Sequence, residues 1–290
     1  MNAPKSPSSL NRRDSLKHLG LFGSGLVLWA CGGTSGTNAD GLGGGGASTG
    51  GVGSSSGGTS ATGGANAGGA TGSATEWASG GTVSMTGDYA NPFSSPVSSC
   101  AVFDSTTEGP CTEAADQVRV NISEGYSGLP MRIALLIVDA SCAPIVGAKV
   151  KIWHTQRTGS YSGDTPNNGM CLKDQADSSK HYFRGAQTTN EEGRVNFDSC
   201  FPGWYSGRAI HIHFTVSLDG KAFTSQLFFA QDLIDEIFTS HPDYSNFGTP
   251  DTPNSTDNII GGKTLDPFLF DTKRLDDGAL LAAKVITVAL

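Results

Sequence analysis

Two histidines one residue apart, His211 and His213, are the natural starting point, because neutral imidazole is the commonest metal ligand among side chains. From His211 onward the pattern alternates: His211, His213, Thr215 and Ser217 fall on one side, Ile212, Phe214, Val216 and Leu218 on the other. A strand has a period of two, so both imidazoles point the same way while the apolar side packs inward. Upstream, Pro202-Gly203 makes a turn that carries Tyr205, and Arg208 follows three residues later. Two same-face histidines beside a tyrosine and an arginine have the makings of a metal site with a charge partner.

The elements that must position these residues read as strands. Candidates are Gln117–Ile122, Met131–Asp139, Ala148–His154, Phe183–Thr188, Arg194–Ser199, the His-x-His strand, Ala222–Phe229 and Ala283–Leu290. Met131–Asp139 is apolar on both faces apart from Arg132, which predicts a central strand covered on both sides. Glu191-Glu192-Gly193 predicts one hairpin and Asp219-Gly220 a stronger one. Only Gln231–Thr239 suggests a helix. Many short strands with closely spaced turns indicate an all-β fold, a β-sandwich, with long loops at 164–181 and 241–267.

Composition sets the domain boundaries. Residues 32–81 hold 20 of the 40 glycines and only two charged residues, Asp40 and Glu76. Such a stretch buries too little apolar surface to offset its ordering entropy, so 32–85 is expected to be a disordered, flexible Gly/Ser/Thr-rich linker, spanning roughly 40 Å. The folded domain is then 86–290. A formal charge of −8, without any Lys/Arg cluster, argues against nucleic acid as a partner.

Residues 1–31 read as an address. Asn11-Arg12-Arg13-Asp14-Ser15-Leu16-Lys17 resembles a twin-arginine export signal, and the apolar run Leu19 to Ala30 is too short and Gly-rich for a good membrane span. Leu28-Trp29-Ala30-Cys31-Gly32 resembles a lipobox. The expectation is export to the periplasm or cell envelope, with anchorage to the membrane surface through a lipid on Cys31. Five further cysteines (Cys100, Cys111, Cys142, Cys171, Cys200) form no close-spaced zinc pairs, and their odd count allows two bridges and one free thiol. Connectivity is not fixed by sequence; the expected pairing is Cys100–Cys111 with Cys171–Cys200.

A second tyrosine lies in Thr158-Gly159-Ser160-Tyr161-Ser162-Gly163, just after strand Ala148–His154. The stretches PIVGAKVKIWHTQRTGSYSG, FRGAQTTNEEGRVNFDSCFPGWYSGRAIHIHFTV and TSQLFF are similar to the core of the intradiol ring-cleavage dioxygenases. These are the catechol and protocatechuate 3,4-dioxygenase family of non-haem iron(III) enzymes. Glu108-Gly109-Pro110 and the strand ending at Asp139 before Cys142-Ala143-Pro144 fit as well, so the resemblance covers about residues 104–232. It implies a β-sandwich and four iron ligands, Tyr161, Tyr205, His211 and His213. It also places an active-site arginine at Arg208 and a substrate-side glutamine at Gln226. Cys111, where an aromatic is frequent, and Thr155-Gln156-Arg157 depart from the family pattern and bear on substrate preference.

The donor set makes chemical sense by itself. Fe(III) is a hard cation suited to phenolate oxygens, with neutral imidazoles filling borderline positions. A ferrous site would use two histidines and a carboxylate, yet no Asp or Glu occurs within five residues after His213. The resemblance implies cleavage of a catecholic ring between its two hydroxyl-bearing carbons with O2, giving a muconate-type diacid. Arg208 would stabilise negative charge developing on the ring, and Gln226 would orient the substrate. Tyr205 would leave the metal and take up a proton, while Tyr161 stays.

Singly, each residue has an ordinary structural reading. A tyrosine in a Gly-rich turn packs or caps, and Trp153 and Trp204 are core aromatics. His154 reads as a neighbour of the site or a surface residue, and His181 and His241 as loop histidines without partners. Two other classes stay open: a degenerate sandwich that binds an aromatic or a surface partner without catalysis, and a colourless zinc hydrolase.

Overall fold

The computed structural model describes residues 76–166 and 169–290; the signal-like segment 1–31 with Cys31, and the tether up to residue 75, lie outside the described residues. The first strand, β1 (Pro130–Val138), is buried at every position but Arg132, as its apolar sequence requires. Its neighbours are β4 (Arg194–Cys200), antiparallel, and β8 (Leu280–Thr287), parallel, with β7 (Asp271–Arg274) outside β8. The second sheet has β2 (Lys149–Trp153) between β3 (Arg184–Thr188) and β5 (His211–Leu218), with β6 (Lys221–Phe228) at the edge.

Ile133, Leu135 and Ile137 of β1 share one apolar core with Val150 and Ile152 of β2 and with Ile212, Phe214 and Val216 of β5. This is a β-sandwich, each sheet giving alternate residues to the common interior. The other face of β1 is covered too: Ala134 clusters with Leu281 and Ala283 under Phe93. The single α-helix among the described residues, α1 (Gln231–Ser240), presents Leu233, Ile234, Ile237 and Phe238 to the core. No helix among the described residues is long and apolar enough to cross a membrane.

Several local expectations are corrected. Gln117–Ile122 forms no strand; it touches Ala186 in one sheet and Asp198 in the other through isolated bridges, so it ladders with neither. Glu191-Glu192-Gly193 does form a tight turn, with Asn190 N–H donating to the Arg194 carbonyl at 3.1 Å. It joins β3 to β4, which belong to different sheets, so no hairpin results. At Asp219-Gly220 both φ angles are positive, 51° and 78°, and Leu218 pairs with Lys221, the expected two-residue hairpin. β7, sequence DTKR, was missed because it has no apolar period. The two long loops are irregular apart from short 3-10 turns such as Gln175–Ser179 and Asn254–Thr256.

The cysteine pairing also differs from expectation. The bridges are Cys100–Cys142 and Cys111–Cys171, and Cys200 is a buried free thiol. Cys200 ends β4 in the first sheet, whereas Cys171 packs with Trp153 of the second, so the fold keeps them apart. Contacts to the domain begin inside the stretch assigned to the tether. Trp77 Nε1 donates to Glu236 at 2.7 Å, its ring lies 3.9 Å from the Arg274 guanidinium carbon, and Gly81 N–H donates to the Gly128 carbonyl at 2.8 Å.

Candidate metal centre

β5 delivers His211 and His213 to the face of the second sheet opposite its core residues Ile212, Phe214 and Val216. Strand pairing sets a row across this face: Arg184 beside Trp153, Trp153 beside His213, His213 beside Gln226. The Trp153 indole stacks on the His213 ring at 4.9 Å and 6°, fixing its plane. His211 Nδ1 lies 2.7 Å from the Ala209 carbonyl. A carbonyl can only accept, so Nδ1 carries the proton and Nε2 presents its lone pair to the site.

The tyrosines arrive on two interlocking turns. After β2, Gln156 N–H donates to the Ser160 carbonyl at 2.9 Å and Gly159 N–H to the Gln156 carbonyl at 2.7 Å, closing the turn before Tyr161. The Tyr205 turn is tied to it: Gly203 N–H donates to Gln156 O at 3.2 Å and Thr155 Oγ1 to Gly203 O at 2.6 Å. A β-carbon at Gly203 would stand 2.3 Å from the Arg157 carbonyl oxygen, so the turns can approach this closely only through glycine.

The outcome is four converging donor atoms. Tyr161 Oη lies 3.3 Å and Tyr205 Oη 3.5 Å from His211 Nε2, which is 3.1 Å from His213 Nε2. Donors bound about 2.1 Å from one ion and about 90–110° apart would stand about 3.0–3.4 Å from each other, and the distances from His211 Nε2 to the other three donors lie at or close to that range. All four residues are buried, Tyr205 the least at 8% exposed. Among the described residues no group of three or more His, Cys, Asp or Glu is placed to hold a metal, so the tyrosines are indispensable to such a site.

Electrostatics agree with the donor assignment. Burial pushes His211 and His213 well below the usual histidine range, with Arg208 adding to the effect on His211 and His211 to that on His213. Both therefore stay neutral, the ligating form. Burial raises Tyr161 well above 10, and the neighbouring Tyr205 adds to this. Burial also raises Tyr205, while the charge and hydrogen bond of Arg208 pull it back. Two such phenols ionise together only beside a strong positive charge, which is what a trivalent ion supplies.

Arg208 and Gln226 sit beside these four residues. Arg208 Nη2 donates to Gln226 Oε1 at 2.6 Å, and Gln226 Nε2 donates to the Thr107 carbonyl at 2.9 Å. Arg208 Nε donates at 2.9 Å to Asp257, a buried carboxylate that the sequence reading missed because it lies in a loop without pattern. The Cys111–Cys171 bridge packs with Trp153, Tyr161 and Tyr205, and the Cys171 carbonyl accepts the Tyr161 N–H at 2.7 Å.

Of the other described histidines, His154 is the neighbour of the site rather than a surface residue, acting electrostatically on His211 and His213, whereas His181 and His241 depart from expectation. His154 is fully buried, 2.8 Å from Ser199 Oγ and stacked on Phe183. His181 and His241 both have partners, Glu113 Oε1 at 3.0 Å and the Ala78 carbonyl at 2.9 Å. Trp153 belongs to the site wall rather than to the inter-sheet core, while Trp204 packs against that core and donates to the Gly248 carbonyl at 3.1 Å.

No family model matches the chain. A solved intradiol ring-cleavage dioxygenase from Tetranychus urticae aligns with a TM-score of 0.57 and 29% identity, over 66% of this chain and 94% of that one. A second solved dioxygenase aligns with a TM-score of 0.58 and 28% identity, over 65% of this chain and 94% of that one. Chlorocatechol 1,2-dioxygenase of Rhodococcus opacus is 30% identical over 122 residues, covering 35% of this chain and 44% of that protein, so the match spans less than half of the relative's length. The chain is a relative of the intradiol ring-cleavage dioxygenases. Tyr161, Tyr205, His211, His213 and Gln226, all buried, and the half-buried Arg208 come together in one cluster, although they are drawn from two turns and two strands.

Proposed function

We propose that this chain is an iron(III)-dependent dioxygenase that cleaves a catecholic ring between its two hydroxyl-bearing carbons. The observation that carries the reading is that two phenol oxygens and the His213 Nε2 stand 3.1–3.5 Å from His211 Nε2, without a carboxylate. Tyr161, Tyr205, His211 and His213 would hold the iron, which when bound would act as the Lewis acid that makes a chelated catechol reactive toward O2.

The chain's own residues supply the rest. Tyr205 Oη, beside Arg208 and ionised only when a metal ion is bound, would then receive a proton from the incoming catechol, a general-base role. The Arg208 guanidinium, held off solvent at 13% side-chain exposure, faces the charge that builds on the ring. Gln226, tied to Thr107, steadies that guanidinium and the substrate beside it. Trp153 and the Cys111–Cys171 bridge wall the site against water.

The test is metal analysis of purified protein with an oxygen-uptake screen over substituted catechols. About one iron per chain, a red to burgundy colour and ring-opened diacid products are expected. Folded protein without iron, or colourless protein with zinc, overturns the reading.

Export and lipid anchorage through Cys31 are part of the same proposal, on the strength of Arg12-Arg13 and the lipobox-like Leu28–Gly32. Wild-type protein should fractionate with membranes and Cys31→Ser should release it. A soluble wild type beginning after residue 31 would refute the anchor.

A further inference from the structure

Arg208 stands on an exposed turn: Ser206 and Gly207 just before it are open to solvent, and Arg208 N–H makes only a long 3.4 Å bond to the Tyr205 carbonyl. A flexible four-bond side chain on such a turn would not by itself hold one geometry. Its guanidinium is fixed from elsewhere. Asp257 Oδ2 accepts from Arg208 Nε at 2.9 Å and from Ala209 N–H at 2.8 Å. Asp257 Oδ1 accepts from Ile259 N–H at 2.9 Å and from Ile260 N–H at 3.3 Å. The carboxylate side chain is 0% exposed.

Asp257 thus grips the side chain of Arg208 and the backbone one residue on, while the core residue Ile260 secures the loop that carries it. On the far side Gln226 accepts from Nη2, itself locked through Thr107. A planar guanidinium tied at Nε and at Nη2 has no remaining rotation. Only Asp257 among these partners carries the opposite charge.

We propose that Asp257 is the positioning residue of the site: its buried carboxylate fixes the Arg208 guanidinium beside Tyr205 and the His211–His213 pair. It hydrogen-bonds none of the four donor side chains, and acts chiefly through Arg208. The inference rests on the dioxygenase reading for its effect on turnover, and on geometry alone for its effect on Arg208.

Two measurements keep these apart. By nuclear magnetic resonance, the Arg208 Nε–H signal of the wild type should be resolved and protected from exchange with solvent. Asp257→Asn, which keeps size and an acceptor oxygen, should abolish the protection, whether or not the protein turns over catechol. In oxygen uptake, Asp257→Asn should lower kcat on the order of tenfold to a hundredfold with unchanged iron content, and Asp257→Glu should restore part of it. In an Arg208→Ala background Asp257→Asn should cost nothing further, because residues acting through one another are non-additive. An unprotected Nε–H in the wild type overturns the proposal, and so does an equal loss in both backgrounds, the mark of a role in loop stability only. Should Asp257→Asn fail to fold, the wild-type protection and its retention in Gln226→Ala still decide, since Asp257 alone then holds the guanidinium, and loss of the Nε–H protection in Gln226→Ala overturns the proposal. A wild type without ring cleavage sinks the functional reading while leaving the resonance result standing.

Discussion

A β-carbon on Gly159 would stand 1.9 Å from the carbonyl oxygen of Trp204. The turn that carries Tyr161 therefore rests directly on the turn that carries Tyr205, and the spacing of the two phenols depends on that contact. Gly159→Ala adds left-handed strain at φ +78°, worth about 1–2 kcal/mol, to a clash that can be relieved only by moving one turn. The variant should fold with a lowered melting temperature and lose most of its iron. Full iron content at unchanged stability would show that the two turns are not rigidly coupled.

The tyrosines should respond differently to loss of the hydroxyl. Gly203 is clamped against residues 156 and 157, whereas a β-carbon at Gly207, at φ +84°, would meet nothing within 4 Å and only a surface hydrogen bond from its N–H to Asp251 holds it, so the Tyr205 turn yields more readily at its C-terminal end. Tyr161, by contrast, is pinned through its N–H to Cys171. Tyr205→Phe should retain substantial iron but lose turnover by about 10²–10⁴-fold, the usual worth of a general base. Tyr161→Phe should weaken iron retention and alter the colour of the catechol complex. Iron content and visible spectra before and after anaerobic catechol addition check both; the reverse pattern would exchange their roles.

Peptide mapping of unreduced protein should recover Cys100 joined to Cys142 and Cys111 joined to Cys171, with Cys200 alkylated only after denaturation. The Cys111–Cys171 bridge closes a separation of 60 residues, for which the chain-entropy estimate is about 4 kcal/mol. Cys111→Ser with Cys171→Ser should lower stability by roughly 2–4 kcal/mol. Because the bridge packs on Tyr161 and Tyr205, that double variant should also weaken iron binding. Unchanged iron affinity would reduce the bridge to a general staple.

Burial pushes His154 down to about 4 from an ordinary 6.5, so the unfolded chain binds this proton more readily than the folded one. The stabilisation is complete above pH 6.5 and is lost as pH falls toward 4, at up to about 1.4 kcal/mol per pH unit. Urea unfolding at pH 7 and pH 5 should show a slope to which the buried His211 and His213 also contribute, and His154→Gln should reduce it. An identical slope in the variant would assign the acid sensitivity to other groups.

Much of the site was legible because its signals are local. A period of two across 211–218 puts both imidazoles on one face whatever the surroundings, and Asp219-Gly220 forces the hairpin that sets Gln226 beside His213. The candidate ligand tyrosines, Tyr161 and Tyr205, needed the motif resemblance, since nothing in a Gly-rich turn distinguishes a ligand from a packing residue. Asp257 had no signal at all. Its importance comes from a contact spanning 49 positions, and its neighbours form no periodic pattern.

By itself the sequence determined the strands with an apolar period, though not β7, and it suggested one at Gln117–Ile122 that does not form; it also determined that the apolar faces demand a sandwich and which residue types could bind a hard cation. Only the tertiary structure decided which sheet each strand joins: an identical tight turn at 191–193 could have closed a hairpin, but β3 and β4 part to opposite sheets. It likewise decided the cysteine pairing and the ionisation of the site, because proximity and burial belong to the folded chain and not to the order of its residues. Burial makes the imidazoles neutral and the phenols reluctant to ionise, and the folded loops bring Asp257 to Arg208. The chemistry resides in side chains visible in the sequence; their distances and charges are set by long-range packing.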